Sequence, residues 1–72
     1  MVVTINSNVP YLQHLKGDHY LEQPLTVKNW LEGLGVKWDV DTLVILNGKV
    51  CKGNELLQDQ DRIHLLIPLS GG

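Results

Sequence analysis

The sequence predicts an α+β protein in which a mixed sheet wraps around one main helix. Three observations carry this expectation. The chain opens on a β-branched segment, Val2-Val3-Thr4-Ile5. One amphipathic stretch of helical period follows a capping residue at Thr26. An Asn47-Gly48 turn then separates apolar runs, and the last run, residues 62–69, alternates with period two. Only the stretch after Thr26 is long enough to cover a sheet, so one sheet face is expected to be covered and the other open. The 72 residues hold one domain, expected over residues 1–68 with a tail at 69–72. A chain of this size buries only about 60% of the surface it exposes when unfolded, so its core is thin.

Residues 2–6 read as the first strand, with Val3 and Ile5 on one face and Val2 and Thr4 on the other. In residues 7–17, Tyr11, Leu12 and Leu15 have helical spacing, while Pro10 and Gly17 limit any helix to about two turns. Residues 19–22 are expected as a second strand paired with the first. Thr26 then offers a hydroxyl to an unpaired amide of the first helical turn. Val27, Trp30, Leu31 and Leu34 fall at i, i+3, i+4 and i+7, and Gly35 supplies a left-handed stop. Gly33 weakens this helix by about 1 kcal/mol relative to alanine, so packing through Trp30 must hold it.

Residues 39–41 read as a surface connection, with Trp38 covering an edge of the core. Residues 42–46 form an apolar strand, and Lys49-Val50-Cys51 returns beside it after the Asn47-Gly48 turn. Leu56 and Leu57 are expected to plug the core from a single helical turn. Asp59-Gln60-Asp61 makes a tight turn into the last strand. There Ile63, Leu65 and Ile67 face in, while His64 and Leu66 face out. Pro68 blunts the end of that strand, because it cannot donate to a ladder.

Composition excludes several functions. A net charge of −2 is wrong for a duplex-DNA binder, and no cationic stripe accompanies the aromatic residues, so no nucleic-acid partner is expected. No run approaches the roughly 18 apolar residues of a membrane span, and the MVVTIN start lacks the basic region of a signal peptide. Cys51 is the single cysteine, which excludes an internal disulfide and points to a reducing, cytoplasmic home. As a lone thiol on a short strand it reads as a small buried apolar residue rather than a nucleophile. His14 and His19 lack metal-ligand spacing and read as surface residues, so no metal site is expected. Asp39/Asp41 and Asp59/Asp61 sit at turns, where aspartate bonds backbone, rather than forming catalytic pairs. No nucleophile–base pair or phosphate-cradling loop is present, so enzymatic activity is not expected.

At the end of the sequence, Leu69-Ser70-Gly71-Gly72, the two glycines have no side chain to bury. An extended segment without Cβ atoms enters channels too narrow for other residues, and the Gly72 α-carboxylate at its tip is unhindered. On the Thr26-Val27 helix start, Leu31, Leu34-Gly35, the Asn47-Gly48 turn, Leu57, Asp59, Asp61, Ile63, Ile67-Pro68 and Gly71-Gly72, the chain resembles the ThiS/MoaD family of sulfur carriers. The likeness covers most of the chain from Pro24 onward and is weak before it. Many members have glycine where this chain has Gln60. Residues 7–17 resemble the molybdopterin-type members, and the compact stretch between Gly35 and Asn47 resembles the thiazole type.

The resemblance implies a β-grasp, ubiquitin-like fold and a carrier role. A ThiF/MoeB-like adenylyltransferase would use ATP and magnesium to convert the Gly72 carboxylate to an acyl-adenylate. Sulfur from a persulfide donor would displace AMP to give a thiocarboxylate, to be delivered by thiazole synthase or molybdopterin synthase into cofactor biosynthesis. The carrier itself would bind no cofactor. The other class compatible with a diglycine end is a ubiquitin-like protein modifier or binding module. Independently of the resemblance, outward parity places Leu43, Ile45, His64 and Leu66 on the open sheet face, and contiguous apolar area there marks an interface. These four residues and Ser70 are expected to face the partner, and Gly71 and Gly72 to carry the chemistry.

Overall fold

The computed structural model describes residues 1–38 and 42–67. The opening β-branched segment forms β1, Val2–Ser7. A short 3-10 segment, Pro10–Leu15, turns the chain back into β2, Gly17–Tyr20. The main helix, α1, spans Val27–Gly33. Then follow β3, Leu43–Leu46, β4, Lys49–Val50, and β5, Asp61–Leu66. The sheet order is β2-β1-β5-β3-β4. The central pair β1–β5 is parallel and the other pairs are antiparallel, so the sheet is mixed, as expected. The boundary expected at residue 68 and the tail 69–72 lie outside the described residues, as does the 39–41 connection.

The helix forms where its local signals place it. Thr26 accepts a hydrogen bond from the Asn29 amide at 3.2 Å, a cap that contributes about 1 kcal/mol. Two further first-turn amides are satisfied from outside the helix, Val27 by the Glu55 carbonyl at 2.9 Å and Lys28 by the Gly53 carbonyl at 3.0 Å. Seven residues are too few for a helix to persist alone, so packing holds it. Val27, Trp30 and Leu31 are buried against Val3, Ile5, Val44, Leu57, Ile63 and Leu65, with Trp38 and Leu34 partly buried at the rim. Gly33 is the last helical residue, so its low propensity acts only at the end. Gly35 follows at φ 91°, the left-handed stop the sequence predicts.

Four expectations need correction. The second strand starts at Gly17 and ends at Tyr20, two residues earlier than the spacing suggests. The Met1 amine and the Leu21 amide each bond the other residue's carbonyl, so Leu21 is buried just beyond β2. Residues 56 and 57 are not helical: Leu57 is buried, but Leu56 is 59% exposed. Their backbone is drawn into an extended bridge, Thr26 against Leu56, and the Leu57 amide donates to the Leu25 carbonyl at 2.9 Å. The strand beside β3 stops at Val50, although the Cys51 amide still donates to the Val44 carbonyl at 2.9 Å. Finally, β5 ends at Leu66, and Ile67 is 47% exposed rather than facing the core.

The turns carry their expected chemistry. Asn47 and Gly48 both have positive φ, 51° and 87°, as a tight two-residue hairpin of matching twist requires. The Asn47 side chain also ties this turn to β5, donating to Asp61 and accepting from the Arg62 amide, each at 2.9 Å. Asp59 accepts from the Val2 amide at 2.8 Å, and this bond holds its carboxyl below the usual aspartate range. Gln60 adopts φ 72°, a left-handed conformation that costs a side-chain-bearing residue about 1 kcal/mol. Gln60→Gly is therefore expected to stabilise the fold by about 0.5 kcal/mol, since the greater freedom of unfolded glycine offsets part of the relief. Thermal unfolding should rise by about 2–4 °C. A lower melting temperature would show that the Gln60 side chain stabilises the turn by more than its strain.

Candidate functional site: the open sheet face

Alternation in β1, β3 and β5 sorts side chains onto two faces. Val3, Ile5, Val44, Ile63 and Leu65 are buried beneath α1. Thr4, Asn6, Leu43, Ile45, Arg62, His64 and Leu66 point the other way. Leu43, Ile45, His64 and Leu66 are each half-buried, on the face where the sequence places them. The register brings them together as two directly opposed cross-strand pairs, Ile45 with His64 and Leu43 with Leu66. Directly opposed side chains touch, so these four residues form one contiguous patch.

The structure adds Val50, which the sequence reading left out. Val50 lies opposite Ile45 and is 65% exposed, extending the apolar patch toward the sheet edge. The signal for it is the two-residue turn itself. Such a hairpin sets Leu46 against Lys49 and Ile45 against Val50, which fixes the face of Val50. Ile67 follows the Leu43–Leu66 pair at the exit of β5 and is 47% exposed.

On the other flank of the patch the face becomes polar. An open groove of about 720 Å³ is lined by Thr4, Asn6, Ile45, Asn47, Arg62 and His64, among others. Thr4 stands opposite Arg62, and Asn6 opposite His64, across the parallel β1–β5 pair. Thr4 donates its hydroxyl proton to Asp18 at 2.8 Å. The Asn6 side-chain oxygen accepts from the Ser7 amide at 2.9 Å. His64 Nε2 is buried and has no hydrogen-bond partner among the described residues.

The other candidate residues are not brought together. His19 Nε2 lies 2.7 Å from the Leu15 carbonyl, and its ring meets Trp30 edge-on at 5.5 Å between centroids. His14 lines a separate groove near the end of α1, with Tyr11 and Lys37. Among the described residues no three His, Cys, Asp or Glu side chains cluster. Cys51 is buried, and desolvation pushes its thiol up to about 11, so it is protonated at neutral pH and not poised as a nucleophile. The Glu55 carboxylate beside it accepts from the Lys52 and Gly53 amides at 2.9 and 2.8 Å, which holds it below the usual glutamate range. Asp59 and Asp61 bond backbone amides, of Val2 and Gln58 respectively. Ser70, Gly71 and Gly72 lie outside the described residues.

Among the described residues, fold and face together define a small α+β protein with a five-stranded mixed sheet, one α-helix on the covered face, and a half-apolar, half-polar open face. No helix among the described residues is long and apolar enough to cross a membrane. No family model matches the sequence, and no curated protein matches it.

Proposed function

We propose that this chain is a β-grasp sulfur carrier of the ThiS/MoaD type. In this reading the Gly72 carboxylate is adenylated and then converted to a thiocarboxylate. The strand order supports the fold part of the proposal. Two hairpin-like pairs flank the helix in sequence, and the last strand inserts between the first and third. The observation that carries the functional part is the position where β5 ends. Leu66 closes the strand directly opposite Leu43, and the chain emerges at the exposed Ile67 at the rim of the apolar patch. An enzyme that grips Leu43, Ile45, Val50 and Leu66 therefore has the start of the tail at a fixed point. The five residues from Pro68 to Gly72 span at most about 17 Å when extended, enough to carry a carboxylate from the rim into a partner's active site.

The chemistry divides accordingly. The carboxylate oxygen attacks the α-phosphorus of ATP and expels pyrophosphate, in an adenylyltransferase that supplies ATP and magnesium. The terminal sulfur of a donor persulfide then displaces AMP from the acyl carbon to give an acyl disulfide, and a thiol reductant cleaves its S–S bond, releasing the thiocarboxylate and leaving the donor in a disulfide with that thiol. The carrier contributes a docking face and a slender acyl group, and the enzyme contributes orientation. Delivery to a thiazole or molybdopterin synthase would use the same tail. A diglycine carboxylate also suits joining to a lysine, which distinguishes a modifier from a carrier by product.

The reading requires Gly72 to bear a free carboxylate, so intact mass of the purified protein comes first. Incubation with ATP, magnesium, a sulfur donor and the host's adenylyltransferase should then add the mass difference between sulfur and oxygen. The Gly72-deleted chain should gain nothing. If an adenylyltransferase active on ATP leaves the wild-type mass unchanged, the carrier reading fails. Conversion to lysine-linked conjugates without thiocarboxylate would favour the modifier.

A further inference from the structure

We propose that the polar flank of the open face is a carboxylate-binding groove, and that the partner docking here presents an acidic side chain between apolar ones. This rests on the docking-face reading above and specifies the chemistry of the partner. Two observations point to an anionic acceptor rather than a cation or a neutral donor.

The first is charge. Arg62 points into the groove, and its guanidinium has neither an ion pair nor a hydrogen bond among the described residues, although its own amide is bound by Asn47. Asp61, its neighbour in the chain, spends its two carboxylate oxygens on the Asn47 side chain and the Gln58 amide, and Asp18, which holds the Thr4 hydroxyl, stands two strands away. The second observation is the state of the neutral polar groups. The amide oxygens of Asn6 and Asn47 are already occupied, by the Ser7 and Arg62 amides. The Asn6 side-chain N–H groups have no partner among the described residues, so Asn6 and Arg62 both offer free donors to the groove.

A planar guanidinium favours a carboxylate, which it can hold through two parallel bonds. The apolar wall continues from Ile45 to Val50, Leu43 and Leu66, so the residues flanking that carboxylate should be apolar. The occupant is thus an acidic–apolar protein segment, and a steered encounter that weakens with salt is its signature.

The test needs no knowledge of the partner. Isotope-labelled full chain is titrated with a capped pentapeptide alternating leucine and glutamate, with its glutamine counterpart, and with its lysine counterpart. The glutamate peptide should shift the amides of Thr4, Asn6, Ile45, Arg62 and His64. The glutamine and lysine peptides should bind more weakly at low salt, by up to about fivefold, as should the glutamate peptide to Arg62→Gln. Arg62→Lys should recover part of the binding, and unchanged melting temperatures would confirm that both variants fold. Equal binding of the three peptides, shifts on another surface, or no binding would overturn the inference. The mass experiment separates this from the carrier reading. Thiocarboxylation with a silent groove removes only the present proposal, and glutamate-specific binding without thiocarboxylation removes only the carrier.

Discussion

Gly53→Ala is expected to destabilise the protein by about 3 kcal/mol, from two additive causes. Gly53 sits at φ 108°, where an L side chain is strained whatever the space around it. An added Cβ would also stand 2.8 Å from Trp38 Cζ2, 3.1 Å from Cε2 and 3.2 Å from Lys28 Cβ. Trp38 lies flush against the glycine, with Lys28 Cβ also within contact range. The Gly53 carbonyl holds the Lys28 amide, and its own amide is held by Glu55. Displacing the loop would therefore loosen the first turn of α1 as well. Chemical denaturation of Gly53→Ala should show a large fall in the unfolding midpoint with an unchanged slope. A loss below about 1 kcal/mol would mean that Trp38 moves freely, and that the indole is not a fixed part of the core.

Leu31→Ala is expected to cost a similar amount, about 3 kcal/mol, for a single reason. Leu31 is completely buried on the inner face of α1. Alanine is the better helix former, so local propensity cannot explain a loss. What disappears is apolar contact, and what remains is a cavity between the helix and the sheet. Stabilities of small domains begin at about 5 kcal/mol, so this one substitution should bring the chain near its unfolding midpoint at moderate temperature. Calorimetry of wild type and variant checks it. A melting temperature lowered by only a few degrees would show that the helix slides to refill the space.

The elements legible in the sequence are those whose code is local. Thr26 caps the helix through a bond three residues away, Asn47-Gly48 makes its turn from its own backbone preferences, and period two assigns the faces of β5. The candidate patch was legible for the same reason, because Leu43, Ile45, His64 and Leu66 follow from parity. Segments whose backbone partners are distant were not. Residues 55–57 spend their hydrogen bonds on residues 25–27, which pulls Leu56 into an extended bridge that no short pattern encodes. Residues 7–15 are organised by side chains reaching back to backbone. Gln13 donates to the carbonyls of Ser7 and Val9, and the Ser7 hydroxyl bonds the Val9 amide. The polar groove was invisible for a further reason. It depends on which residue of β1 stands beside Arg62 and His64, and a parallel register set across nearly the whole chain is not written in either strand alone.

The placement of β5 between β1 and β3 also governs how the molecule comes to exist. Neither neighbouring strand pair can share a core until residues 61–66 have been made, because β5 supplies Ile63 and Leu65 to both. Growing at roughly 5–20 residues per second, a nascent chain keeps Val3 and Ile5 waiting for seconds before their partner leaves the ribosome. Pairing over so long a separation is a slow step, since the loop must close before any contact repays it. The earlier strands must stay soluble through that interval, and the charges of Lys16 and Asp18, beside the edge formed by β2, are placed to discourage pairing with another chain meanwhile.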